Sequence, residues 1–443
     1  MDYHPLFDLA AVVVVSATAI GFTPALSPWR SALFPVLSAL SWHCVVQCPN
    51  YIERSAWATS VGGYTLSYLF HYLDVGILEP WDFTLQGPAT EPKLKRDARP
   101  PASTRSNIPR PVDDAASRLR FGFSVLFSWR LLNTPWEVRN VPKLDDRLRR
   151  SRARFLAHTT LTIVVCYLVL DAMDVSADPE ITETFYSLDK VAFFSRIRGV
   201  SAQEAVMRFF AAVGLGAGLV SVQRSVYSIL AFVCVAAHLS DPEDWPPFNG
   251  PFGAIYSLRG FWSVFWHQTN THRLRATSGY LLHDVLRLPR ETKVTRYLRP
   301  WVVFLLSALF HVAIDMSSGS SPSKINSDFK SVSPVFGSAT LITQLYNRVG
   351  MLPSESGALR FFLIQPLGVV IEDAARSVYR AVYGTTTRAP TVPERCVGAV
   401  WVGLWMAWTA PAYMYPVLAK TGAGKAGVVP FSVIDYVTRR ITA

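Results

Sequence analysis

Apolar runs close to 20 residues long recur through this chain, each separated from the next by charged sequence. A run of about 20 apolar residues is the length of helix needed to cross the hydrocarbon of a bilayer. In lipid every backbone polar group must be paired internally, so repeated runs of this length force a helical architecture. Candidate spans cover 6–26, 31–46, 56–73, 155–173, 205–239, 300–316, 359–371 (short) and 397–418. No basic n-region precedes the first run and further spans follow, which favours a retained span over a cleaved signal. The expected fold is therefore all-α and polytopic, with roughly seven to nine transmembrane helices joined by basic cytosolic loops.

Charge supports the same reading. Only 17% of the residues are charged and 50% are hydrophobic, whereas soluble domains carry about 25% charged residues. The formal charge of +11 would suit a nucleic-acid binder. Its basic residues, however, lie between apolar spans, where they orient helices, so no nucleic-acid partner is expected. Segment 86–154 holds 16 Lys plus Arg against 7 Asp plus Glu, and the loop 240–299 is also basic. Both should face the cytosol, with the acidic stretch after residue 173 on the other side. An even number of crossings must then separate the two loops, which favours one crossing in 205–239 over two. Three parts follow: N-terminal spans 1–85, a basic cytosolic loop 86–154 whose stretch 91–111 lacks fixed structure, and a membrane-embedded core 155–443.

Five scattered cysteines give no disulfide framework, and no metal site is expected; Cys44 and Cys48 read as packing residues. There is no internal repeat to support an inverted-repeat transporter.

Two stretches carry ionisable groups among apolar ones. The first runs from Ser257 to Arg275 and includes Arg259, Trp262, Trp266, His267, Asn270, Arg273 and Arg275. Taken alone it could equally be an interfacial aromatic belt with basic anchors. In the second, His311 lies deep within an apolar span and Asp315 follows one helical turn later. An ionisable residue at such a position is a functional candidate by default. Positions i and i+4 share a helix face, so the Asp315 carboxylate could fix the imidazole tautomer and leave the other nitrogen as a general base.

Three segments carry a family resemblance. They are Pro242-Glu243-Asp244-Trp245-Pro246-Pro247, then Leu258-Arg259-Gly260-Phe261-Trp262 with Phe265-Trp266-His267-Gln268, and, upstream, Thr134 to Pro142. Together with Gly357 to Phe362 they resemble the wax-synthase-like branch of the membrane-bound O-acyltransferase superfamily, common in fungal natural-product pathways. The resemblance implies that His311 is the intramembrane catalytic histidine. It also implies that His267 is a second functional position, standing where plant wax synthases carry Asn. The expected reaction moves acetyl from acetyl-CoA to a hydroxyl of a terpenoid, steroid or polyketide, with a long-chain wax or sterol ester synthase as the alternative. No permanently bound cofactor is expected. Arg259, Trp262, Trp266, Asn270, Arg273 and Arg275 would receive the acyl-CoA, the acceptor would be an apolar alcohol arriving from the bilayer, and the family suggests the endoplasmic reticulum.

Overall fold

A computed structural model describes residues 3–89, 112–290, 292–319, 357–384, 390–421 and 427–442. In chain order its main helices are α1 (Leu6–Phe22), α2 (Pro28–Tyr51), α3 (Ser55–Tyr72), α4 (Ala115–Phe127), α5 (Arg152–Val175) and α6 (Ala202–Ala236). They continue as α7 (Thr271–Gly279), α8 (Lys293–Met316), α9 (Gly357–Tyr383), α10 (Val392–Thr409), α11 (Pro411–Thr421) and α12 (Val433–Thr442). Among the described residues the only strands are the two-residue pair Trp81–Asp82 and Gly87–Pro88, so the all-α expectation holds there. The stretches 91–111 and 317–356, read from sequence as unstructured or loop, lie wholly and almost wholly outside the described residues.

Hydroxyl and carboxylate caps start the long helices. Ser151 accepts the Arg154 N–H, Ser201 the Glu204 N–H and Thr292 the Thr295 N–H, while Thr391 and Glu394 form a capping box. Such caps satisfy donors that the first helical turn leaves unpaired. Among the described residues α2, α5, α6 and α8 are long and apolar enough to cross a membrane, and α1 is a shorter apolar helix. Their surfaces are inverted relative to a soluble protein. On α5, Leu161 and Val165 are 60% and 50% exposed while Thr159 and Asp171 are buried. Apolar faces of this extent belong against lipid.

Span 205–239 is one unbroken helix of 35 residues. At 1.5 Å per residue it is about 52 Å long, well beyond the ~30 Å hydrocarbon layer. Two spans differ from the sequence reading. The short run 359–371 continues to Tyr383, because a charged turn bearing Glu372, Asp373, Arg376 and Arg380 prolongs the helix beyond its apolar half. The run 397–418 is divided at Pro411, so that α10 ends at Thr409 and α11 starts afresh. Proline lacks the N–H that would continue the ladder.

The described stretch 112–154 of the basic segment holds more than a plain loop. It contains α4, which lies against α1 so closely that a Cβ on Gly122 would collide with the Ala17 carbonyl. Arg130 then ties the following turn to the Pro-rich segment. Its guanidinium donates to the Pro246 and Pro247 carbonyls at 3.0 and 2.8 Å and to the Tyr227 hydroxyl at 2.7 Å. Elsewhere, α5 packs along α6, α8 along α9, and α8 against α3. At one end of the bundle Asp171 accepts the Val433 and Ile434 N–H groups, and Arg54 grips the Gly427 and Val429 carbonyls. At the other end Asp74, just past α3, meets His272 on α7 at 2.6 Å.

Candidate active site

Residues 257–270 are irregular because many of their polar contacts come from elsewhere. Ser257 caps the turn Leu258–Gly260, and a π-helical turn Phe261–Phe265 follows. Glu372 of α9, 8% exposed, accepts the Leu258 N–H at 2.5 Å, the Arg259 N–H at 3.4 Å and the Trp401 indole N–H at 3.0 Å. A carboxylate so placed meets the donors and the positive dipole end of the turn. Gln268 donates to the Val264 and Trp266 carbonyls at 2.6 and 3.0 Å, and the Gly250 N–H donates to Phe265 O at 2.9 Å. Motif residues Arg259 to Gln268 are thereby held as one rigid bend.

That bend delivers Trp262 into an aromatic cluster. Its ring lies 5.5 Å from Phe304 of α8 and 6.1 Å from both Phe361 and Phe362 of α9, centroid to centroid. Its indole N–H donates to Gln365 Oε1 at 3.3 Å, and that oxygen also receives the Trp405 indole at 3.1 Å. His311 joins the same cluster from α8, with its ring 4.3 Å from Phe362 and 6.1 Å from Tyr413 of α11.

His311 Nδ1 lies 2.7 Å from the Ser307 carbonyl of its own helix. A carbonyl can only accept, so Nδ1 carries the proton and Nε2 presents a lone pair. The orienting role that the i,i+4 spacing suggested for Asp315 is thus filled by Ser307 O. Asp315 instead accepts a hydrogen bond from the Tyr413 hydroxyl at 3.3 Å, which ties it to the far side of the same imidazole pocket. Tyr413 was not singled out from the sequence, where it reads as one aromatic residue in an apolar run.

His267 arrives from the segment between α6 and α8, outside the spanning helices. Its Nδ1 lies 2.8 Å from Thr269 Oγ1, and its ring is flanked by Trp266 at 5.3 Å and Phe248 at 5.7 Å. Burial first, then the charges of His311, Arg273 and Arg130, push its pKa down to about 3. His267 is therefore neutral at physiological pH, and His311 is among its close electrostatic neighbours.

The cations expected to greet an acyl-CoA together are instead dispersed. Arg273 is fully buried, donates to the Ser67 and Thr269 carbonyls, and lies over the Trp129 ring at 4.6 Å. Burial lowers its pKa to about 9, which leaves it charged at neutral pH, but its charge serves the scaffold. Arg275 is exposed and Asn270 half-buried at the start of α7. Arg259 pairs with Asp373 at 2.6 Å and lines a cavity of about 420 Å³ between α8 and α9. Trp262 and Trp266 stay with the histidines. A second cavity of about 430 Å³ lies between α5, α6 and the Pro-rich segment, with Lys143, Arg147, His158 and Arg224 on its walls. Phe248 lines it too, and Phe248 touches His267. Sequence reading missed this cavity because its cations come from three separate stretches. No cluster of three or more His, Cys, Asp or Glu side chains able to hold a metal occurs among the described residues.

Comparisons with known proteins bear directly on this site. Residues 245–331, which include both histidines, match the sequence profile of the Membrane bound O-acyl transferase family. The chain is 32% identical to the acetyltransferase aurG of Calcarisporium arbuscula over 93% of its own length and 92% of that protein's. It is 31% identical to the acetyltransferase ataH of Aspergillus terreus, over 69% of this chain and 91% of that one. With the acetyltransferase TRI7 of Fusarium sporotrichioides it shares 27% identity over 70% of this chain and 66% of that one. No solved structure matches.

Proposed function

This chain belongs to the membrane bound O-acyl transferase family, and on that premise we propose how its site transfers an acetyl group from acetyl-CoA to a lipophilic alcohol. It is an integral membrane enzyme of the acyltransferase class. His311 Nε2 takes the hydroxyl proton as the alcohol oxygen attacks the thioester carbonyl. A tetrahedral oxyanion forms, the C–S bond breaks, and coenzyme A leaves as the thiolate, which recovers the proton from the imidazolium. With the Thr269 hydroxyl donating to His267 Nδ1, Nε2 of His267 carries a proton and can donate to the oxyanion. Tyr413 and Asp315 hold the outer side of the His311 pocket. Trp262, Trp266 and Phe362 exclude water, which would otherwise compete as acceptor.

The observation that carries this reading is the pair of histidines on one aromatic cluster, with Phe248 linking His267 to a basic cavity. Lys143, Arg147 and Arg224 on that cavity suit the phosphates of acyl-CoA. Coenzyme A is the co-substrate rather than a resident cofactor. The acceptor is a hydroxylated terpenoid, steroid or polyketide that enters from the bilayer. The relatives carry the name acetyltransferase, which favours a short acyl donor over the long chain of a wax or sterol ester synthase.

Eight crossings, α1, α2, α3, α5, α6, α8, α9 and α10, accommodate the contacts at both ends of the bundle and fall within the seven to nine expected. They place the ends of α3 and α9, the segment 128–150 and the segment 240–292 on the cytosolic side. The endoplasmic reticulum is the fitting membrane. The segment 86–154 serves as a cytosolic cap on spans 1–85 and core 155–443. The test is a microsomal assay with labelled acetyl-CoA and a panel of terpenoid, steroid and polyketide alcohols. Labelled ester supports the reading; no ester from acetyl-CoA or palmitoyl-CoA with any alcohol sinks it.

A further inference from the structure

The cavity between α8 and α9 is not part of the histidine site, and its chemistry points elsewhere. No residue of its wall makes a described ring contact or hydrogen bond with His267 or His311. Four arginines line it: Arg259, Arg296, Arg376 and Arg380. Arg259 is neutralised by Asp373. Among the described residues the guanidinium groups of Arg296, Arg376 and Arg380 have no hydrogen-bond, ion-pair or ring partner, so three of them line one space whose one carboxylate, Asp373, is already paired with Arg259.

Apart from Asp373 and Ser377, the rest of the wall is Tyr297, Trp301, Val369, Val370 and two prolines, and part of it faces outward. Trp301 on α8 and Val370 on α9 line the cavity and are 37% and 41% exposed. Val370 and Arg380 are ten residues apart, which is about 15 Å along a helix axis. One face of the cavity thus grades from bilayer-facing apolar surface to clustered positive charge over the depth of a lipid interface. Tyr297 and Trp301 stand between the two zones, where aromatic side chains favour the interface.

We propose that this cavity binds the phosphate headgroup of an anionic glycerophospholipid, with Arg296, Arg376 and Arg380 around the phosphate and the acyl chains along Trp301 and Val370. Basic pockets between membrane helices on the cytosolic side suit such headgroups. Coenzyme A carries the same phosphate chemistry, but it has no acyl pair to lie on the exposed apolar wall. The assignment to the cytosolic leaflet rests on the orientation proposed above. Binding itself does not rest on acyl transfer, which is read separately by ester formation.

The test uses the purified full chain in detergent, with bound lipid counted by native mass spectrometry during titration of dioleoyl-phosphatidic acid, dioleoyl-phosphatidylcholine or coenzyme A. The wild type should retain one phosphatidic acid under conditions where phosphatidylcholine is lost. R376Q/R380Q should bind phosphatidic acid roughly tenfold more weakly or worse, as expected for the loss of two interfacial cations. R296Q, on the other helix, is an independent variant should the double one fail to fold, and an unchanged thermal unfolding temperature identifies the folded variants. Excess coenzyme A should leave the bound lipid in place. Equal retention of phosphatidylcholine, unaltered binding in both folded variants, or displacement of the lipid by coenzyme A would each overturn the proposal.

Discussion

In the proposed mechanism Nε2 of His311 is the atom on which the chemistry turns, because Ser307 O fixes the proton on Nδ1. A positioned general base contributes about 10²–10⁴-fold. His311→Gln should therefore lower kcat by roughly that factor while the protein still accumulates in membranes. Tyr413→Phe removes the hydroxyl that Asp315 accepts but keeps the ring beside His311. It should cost less than His311→Gln and act on kcat more than on KM, measured from initial rates across acetyl-CoA concentrations. Packing makes its own demand at Gly122. A methyl group there meets the Ala17 carbonyl of α1. Gly122→Ala should destabilise by about 1–3 kcal/mol, seen as a lower unfolding temperature in detergent.

At the scale of elements, the bend 257–270 depends on Glu372, which caps it from α9. Glu372→Ala would strand two backbone donors and the Trp401 indole, at about 1–3 kcal/mol for each unpaired group. Activity should fall further than that variant's expression level does. The junction of α3 and α7 has a pH signature. Burial alone would lower the pKa of His272, but its bond to Asp74 and the charges of Asp74 and Glu79 raise it above the usual value. Protonated His272 therefore stabilises the fold fully below its unfolded pKa of about 6.5, and that contribution is lost as pH rises through the raised folded value. The unfolding temperature should fall over that window in the wild type and respond less in His272→Gln. Much of this scaffold was legible in the sequence. The spans and the Arg259–Gln268 motif are contiguous runs whose length or residue order already carries the physics. Both histidines were legible because an ionisable group amid apolar residues is costly. What could not be read depends on distant contacts. Helix α4 was hidden by flanking charge and lies against α1, α9 runs on past its apolar half, and Asp315 is met by the Tyr413 hydroxyl from α11, remote in sequence. The dispersal of Arg259, Arg273 and Arg275 is likewise set by partners remote in sequence.

The whole molecule is a helical bundle whose two ends differ in charge and in contacts. With the proposed eight crossings, an Asn-X-Ser acceptor inserted near residue 178, between α5 and α6, should be glycosylated in the endoplasmic reticulum. One inserted near residue 288, between α7 and α8, should not. Glycosylation at the second site would reverse the orientation. The proposed function makes sense of the assembly as a device that lets a water-soluble thioester and a lipid-soluble alcohol meet in a place where water is scarce. Its central claim is that His311 performs the transfer between them. The most direct test compares wild-type and His311→Ala microsomes, matched for protein content, for ester formation from labelled acetyl-CoA and a responsive alcohol. The account predicts labelled ester from the wild type and none above background from the variant. Near-wild-type turnover by His311→Ala would contradict it.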